Sequence, residues 1–394
     1  MPRPRPLERS PVWRPFRDLS RSDGERHSDS RINVASLPAP RRGSVLALRQ
    51  FCAKILASLL LLAAAVAPAR AETTGALLSR EAYAFPFGSR AEWLSFVRGT
   101  PGGVAASSAY AALFSDADYK RYKAGTRTRT SRIAYRSGDL SINGFIVEPL
   151  SQGPHPILVF NHGGVMQWGR IVLAELLEFN RLAERGYIVV ASNFRGEGGS
   201  QGTPSMDGGD VDDVMALVEL ASSLPNADPK RIGMWGFSRG GLVTYGILAR
   251  TNRIAAAVIT GGPTDLVNAP RRAEFDEHVY PHVIRDYAAD KDRALARLSP
   301  IHWPERLSPA TSILLLHGGD DPRVAPSDSI RMAAELQRLQ RAYRLLVFEG
   351  GSHDLLTHFG EQRRELDRWL DLYVRDRRPP DRNGVRSISG TLLR

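Results

Sequence analysis

Beyond residue 150 the chain repeats one unit: a short apolar run, then a stretch with helical periodicity. The runs are Pro156–Phe160, Tyr187–Ala191, Ile232–Trp235, Ile254–Thr260, Ser312–Leu316 and Leu345–Phe348. Apolar side chains at consecutive positions suit strands covered on both faces. Helical spacing over Ile171–Arg185, over Val211–Leu224 (capped by Asp210), and over Gly240–Ala249, Ser327–Tyr343 and Gly360–Val374 supplies the crossovers that parallel strands require. Ahead of them, Ile133–Ser137 and Ile142–Glu148 flank Gly138-Asp139, a hairpin signal. The expectation is an α/β fold: a mostly parallel central sheet with helices on both faces. Val267–Arg306 breaks the rhythm as a small helical excursion between strands 6 and 7 of this reading.

Charge is distributed unevenly. The net charge is +11, yet residues 1–71 carry 13 Lys+Arg against 5 Asp+Glu, leaving 40 basic and 37 acidic residues in the other 323. That near-neutral remainder gives no footprint for nucleic acid. Arg49 and Lys54 precede the apolar run Ile55–Val66, and Ala69 and Ala71 stand at the minus-three and minus-one positions of a cleavage site. Residues 45–71 therefore read as a signal peptide cut after Ala71, and the protein as exported, periplasmic or secreted. A run of 12 is short against the roughly 20 residues needed to span a bilayer, so no stable membrane insertion is expected after cleavage. Residues 1–44, rich in Arg, Pro and Ser, are either a disordered arm or the product of a start codon upstream of a true one near Val45. The sole cysteine, Cys52, falls within the signal. Residues 72–128 read as a helical N-terminal segment, 129–376 as the catalytic domain, and 377–394 as a disordered basic tail.

Gly236-Phe237-Ser238-Arg239-Gly240 follows a strand and opens a helix, the setting of a nucleophile elbow. A sharp strained turn exposes the hydroxyl, and glycines two residues to either side let strand and helix approach. A serine hydroxyl needs a base to take its proton and a carboxylate to orient that base. His317-Gly318-Gly319-Asp320-Asp321 and Glu349-Gly350-Gly351-Ser352-His353 both follow strands. Asp320 and Asp321 compete as the acid. His353 is preferred to His358, which lies at the start of the last helix. The order Ser, acid, His is that of the α/β-hydrolase fold. Two N–H donors are needed for the oxyanion. One is the amide of Arg239; the other comes from Asn161-His162-Gly163-Gly164-Val165, with Gly164 preferred and Val165 the alternative. His162 is expected to orient that loop. Arg195-Gly196-Glu197-Gly198-Gly199-Ser200 lacks a Walker lysine and the dinucleotide glycine spacing, and Arg195 reads as a loop brace. With no Cys/His cluster and no H-E-x-x-H, no metal and no cofactor are expected. Trp168 and Trp303 line either a substrate pocket or the core.

From about Ser131 to Asp376 the chain resembles the catalytic domain of prolyl oligopeptidase family serine peptidases, within the α/β-hydrolase superfamily. The resemblance rests on four sites: His162-Gly163-Gly164; Asp210-Val211-Asp212-Asp213-Val214 with Asp228-Pro229-Lys230-Arg231-Ile232-Gly233; Gly236–Gly241; and His317-Gly318 with Asp321 and Val324. It implies Asp321 as the acid, four residues after that histidine, and the Gly164 and Arg239 amides as oxyanion donors. The roughly 60 residues before the hairpin are too few for the family's β-propeller. Arg195-Gly196-Glu197 is similar to the Arg-Gly-Gln motif of acetylxylan esterases, with Glu in place of Gln. The expected function is an exported serine hydrolase cleaving short peptides. A carboxylesterase or acetylesterase acting on small esters is the alternative, and a non-catalytic binding protein of the same fold a lesser one. The substrate is a small peptide or ester; no nucleic-acid partner is expected.

Overall fold

The structure, a computed structural model, describes residues 74–380. The signal 45–71, the extension 1–44 and most of the tail 377–394 lie outside the described residues.

Strands His155–Asn161 (β4), Ile188–Ser192 (β5), Ile254–Thr260 (β7) and Ser312–Gly318 (β8) are buried almost throughout, as their unbroken apolar runs require. Ala227–Phe237 (β6) pairs with β4 from Ala227, shifts register before Ile232 and is buried from there to Gly236, and Tyr343–Phe348 (β9) closes one edge. Thr128–Ser137 (β2) and Leu140–Pro149 (β3) are the expected hairpin. With Leu77–Ala82 as β1, the nine strands are ordered β1-β2-β3-β5-β4-β6-β7-β8-β9, parallel from β5 to β9 and antiparallel on the β1–β3 side.

Alternate residues of the central strands feed two cores. Ile157, Val159, Ile188, Val190, Met234 and Ile259 meet helices Gly209–Ser222 (α5), Arg239–Leu248 (α6) and Pro326–Arg338 (α10). Leu158, Phe160, Val189, Trp235 and Val258 meet Leu173–Glu184 (α4) and Phe359–Leu370 (α11) on the other face. Each such side chain removed from water contributes roughly 1.5–3 kcal/mol.

The N-terminal segment contains more than helices. Leu77–Ala82 forms β1, an edge strand paired with β2 and mostly exposed, so its sequence shows no apolar alternation. This added strand moves the helical excursion to between the seventh and eighth strands. Arg90–Arg98 (α1), Gly103–Leu113 (α2) and Asp116–Ala124 (α3) follow, and Trp93, Phe114, Tyr119 and Tyr122 bury against the second core. The excursion contains Arg272–His278 (α7), Tyr280–Val283 (α8) and Lys291–Leu298 (α9) around a third cluster with Leu266, Tyr280, Val283 and Leu295.

One expected cap is corrected. Helix α5 begins at Gly209 with Gly208 left-handed at its N-cap, so Asp210 lies inside the first turn, buried, where its carboxylate accepts from the Val211 N–H at 2.9 Å. Among the described residues no helix is long and apolar enough to cross a membrane.

Candidate active site

Register places the site. Asn161 of β4 lies beside Gly236 of β6, Phe237 beside Thr260 of β7, and Gly318 of β8 beside Phe348 of β9. The loops after these strands therefore gather at one end of the sheet, where open α/β sheets hold their sites.

Ser238 sits between β6 and α6 with φ 54° and ψ −123°, a backbone conformation that non-glycine residues rarely adopt. Packing holds it there. The Ser238 N–H donates to the Thr260 carbonyl at 2.8 Å, and a Cβ on Gly240 would collide with the Asn161 carbonyl. Asn161 Nδ2 donates to Thr244 Oγ1 at 2.9 Å, which donates to the Gly240 carbonyl at 2.8 Å, tying the end of β4 to the first turn of α6.

Three of the predicted residues meet in one hydrogen-bonded row. His353 Nε2 is 2.9 Å from Ser238 Oγ, and His353 Nδ1 is 2.7 Å from Asp321 Oδ2. Asp321 is buried, and burial alone would raise its pKa; hydrogen bonds from His317 and His353 more than offset this and hold the carboxyl well below its usual range. An ionised carboxylate only accepts, so Nδ1 carries the proton and Nε2 presents its lone pair to the serine O–H. Asp321 Oδ1 also accepts from the Arg323 and Val324 amides at 2.8 and 3.0 Å. His317 Nε2 lies 3.0 Å from the Val324 carbonyl and 3.3 Å from Asp321 Oδ2, while its Nδ1 meets Ser329 Oγ at 2.7 Å. Asp320 is exposed. His358 faces Thr357 Oγ1 at 3.0 Å and the Phe348 ring at 5.4 Å.

The Arg239 amide opens α6 without an intrahelical acceptor, as the first amides of any helix do. In the loop after β4, His162 Nδ1 donates to the Gly163 carbonyl at 2.8 Å and Arg239 Nη1 to the Gly164 carbonyl at 2.8 Å. The N–H and C=O of one trans peptide unit point in opposite directions, so the amides of Gly164 and Val165 face away from these anchors. Gly164 has φ +76°, and a Cβ there would stand 2.5 Å from the Trp168 carbonyl. His162 is buried and stacked on Phe194 at 4.2 Å; burial, then the Arg239 charge, lower its pKa to about 3, so the ring is neutral.

Sequence reasoning missed the ion cluster below. Arg239, 6% exposed, donates through Nη1 to both Glu197 oxygens at 2.8 and 2.9 Å and through Nη2 to Ser205 O at 3.2 Å and Asp210 at 3.4 Å. Glu197 also accepts from the Met166 N–H at 2.7 Å. Arg195 braces its loop through Asp213, with Nη2 2.8 Å from Oδ1. The one signal available was an acid in a glycine-rich loop, because Glu197 and Arg239 are 42 residues apart.

A cleft of about 150 Å³ opens beside Ser238, bounded by Gly164, Val165, Leu266, Phe275, Tyr280 and Val324. The excursion supplies its apolar wall. Trp168 is 73% exposed, and Trp303 packs beside the first core with its Nε1 donating to Arg297 O at 3.0 Å; neither bounds this cleft. Among the described residues no three metal-ligating side chains converge.

A model of the prolyl oligopeptidase family matches residues 175–376. The chain belongs to that family. Its open, mostly parallel sheet with helices on both faces is an α/β-hydrolase fold. The Bacillus subtilis uncharacterized peptidase YtmA is 24% identical over 252 residues, 63% of this chain and 94% of that protein. The uncharacterized peptidase YuxL of the same bacterium is 28% identical over 264 residues, 61% of this chain but only 39% of YuxL. Among solved structures, the Pyrococcus horikoshii acylaminoacyl peptidase aligns with a TM-score of 0.56 at 22% identity, covering 66% of this chain and 44% of that one, a likeness of fold.

Proposed function

We propose that this family member is an exported serine peptidase that cleaves short peptides through an acyl-enzyme. One observation carries the reading: the row Ser238 Oγ, His353, Asp321, with the imidazole in the tautomer a general base requires. Ser238 Oγ attacks the scissile carbonyl carbon as His353 Nε2 takes the hydroxyl proton. The carbonyl oxygen, now an oxyanion, accepts from the amides of Arg239 and Gly164. His353 returns the proton to the leaving amine as the C–N bond breaks. Water, deprotonated by the same nitrogen, then releases the acid and restores Ser238. Asp321 stabilises the transient imidazolium and keeps its own proton off.

The cleft formed by Leu266, Phe275, Tyr280 and Val324 suits an apolar side chain on the acyl side of the bond. Its volume, about 150 Å³, suits a short acyl group equally well, and this supports the second reading, a carboxylesterase of small esters. A panel of p-nitrophenyl esters beside aminoacyl and peptidyl anilides, with Ser238→Ala as control, separates the two. Anilide cleavage lost in the control supports the peptidase; ester turnover with every anilide inert overturns it in favour of the esterase. Absence of both activities, with no fluorophosphonate labelling of Ser238, leaves a non-catalytic member of the fold. Export rests on the sequence of residues 45–71: the protein recovered outside the cytoplasm should begin at Glu72, and a retained leader would refute cleavage.

A further inference from the structure

On the far side of Phe237 lies a second cavity of about 120 Å³, between helix α2, helix α4 and the start of α11. Its walls are aromatic, with Tyr110, Phe114, Trp235 and Phe237 among them. Two carboxylates, the half-buried Glu175 and the exposed Asp354, stand at its boundary with no compensating cation. Glu175 accepts from the Val172 N–H at 2.8 Å and Asp354 from Ser352 Oγ at 2.6 Å; among the described residues neither has a basic group within ion-pair distance. The neighbouring Glu178 differs, being neutralised by Arg181 at 2.7 Å and by Arg363.

A third group also lacks a partner. Gln362 is 4% exposed and bounds the cavity; its Nε2 donates to Thr260 Oγ1 at 3.2 Å, whereas its buried Oε1 meets no donor. An acceptor so placed is costly unless something donates to it. We propose that this cavity is a binding site for a primary alkylammonium group, whose N–H donors reach Gln362 Oε1 and the two carboxylates while its alkyl chain lies among the rings. Aromatic faces attract a cation as well as excluding water. Cavities of about 150 Å³ hold a benzene ring, so a chain of four or five heavy atoms fits here. Burial pushes the Glu175 carboxyl up to about 7 and the hydroxyl of the half-buried Tyr110, which faces Glu175 and Asp354, to about 12, the pattern of a pocket short of positive charge.

The test is a saturation-transfer NMR titration of the full chain with n-butylammonium and, separately, with the neutral n-butanol. One saturable site is expected for the cation, binding at least tenfold more tightly than the alcohol. Glu175→Gln keeps the contact to Val172 and should erase that tenfold difference. Ala174→Leu fills the cavity without touching a carboxylate and should abolish both signals; near-ultraviolet circular dichroism checks that each variant is folded. Equal binding of cation and alcohol, no saturable binding, or a preference that survives Glu175→Gln in a folded protein each overturns the proposal.

Discussion

Removing Glu197 probes the support beneath the oxyanion loop. Its carboxylate is buried against Arg239, whose other charged partner, Asp210, is at 3.4 Å. Glu197→Ala leaves the guanidinium with that longer contact and orphans the Met166 N–H. Breaking a buried ion pair from one side costs about 3–5 kcal/mol, a large share of a typical total of about 5–15 kcal/mol. Turnover falls as well, because the same Nη1 holds the Gly164 carbonyl and with it the residue whose amide faces the oxyanion. Deleting an oxyanion donor outright costs about 10²–10³ in kcat. Here the donor is displaced and not deleted, so a drop of about tenfold to a hundredfold is expected, in kcat more than in KM. Glu197→Gln keeps an acceptor for Arg239 and should fall between the alanine variant and the wild type. Urea unfolding and steady-state ester hydrolysis read both effects. An unchanged urea midpoint together with an unchanged kcat in Glu197→Ala would refute the argument that this cluster positions the loop.

Three further outcomes follow from the same geometry. Asp321→Asn should lower kcat by about 10⁴, as loss of the orienting carboxylate does in such triads, while exposed Asp320→Asn should change it less than twofold; the reverse order would reassign the acid. His162, with its pKa depressed from 6.5 to about 3 in the folded state, favours folding fully above pH 6.5. That contribution is lost as the pH falls towards 3, at about 1.4 kcal/mol per unit, so His162→Asn should flatten the decline in stability between pH 6.5 and 5. Phe275→Ala opens the cleft wall and should shift preference among p-nitrophenyl esters towards longer acyl chains, measured as kcat/KM across the series.

The parts of this molecule legible in its sequence are those where chemistry or two-sided burial constrains neighbouring residues. Ser238 announces itself because its turn needs glycine at 236 and 240, and β4, β5, β7 and β8 because strands covered on both faces tolerate few polar residues. Edge strand β1 carries no such mark: Leu-Leu-Ser-Arg-Glu-Ala is largely exposed and acquires its register from β2. Helix α3 did leave a signal, the capping box of Ser115 and Asp118, but its apolar anchors are only Tyr119 and Tyr122. The choice between Asp320 and Asp321 rests on which carboxylate the turn directs inward, which adjacent residues of the same type cannot reveal by themselves; the family's spacing from His317 selects Asp321. The Glu197–Arg239–Asp210 cluster and the cavity behind Phe237 depend on contacts between segments remote in sequence, about which local pattern is silent.

His353 follows β9, and β9 is the last strand of the sheet, with only β8 beside it and Val347 43% exposed. Edge elements open at lower free energy than the centre they flank. His353 is thus carried by an edge element of lower local stability, whereas Ser238, at the end of β6 three strands further in, keeps its strained turn. Turnover then becomes a gauge of how well that margin is seated. Under rising denaturant, hydrolysis should vanish while most of the sheet is still intact.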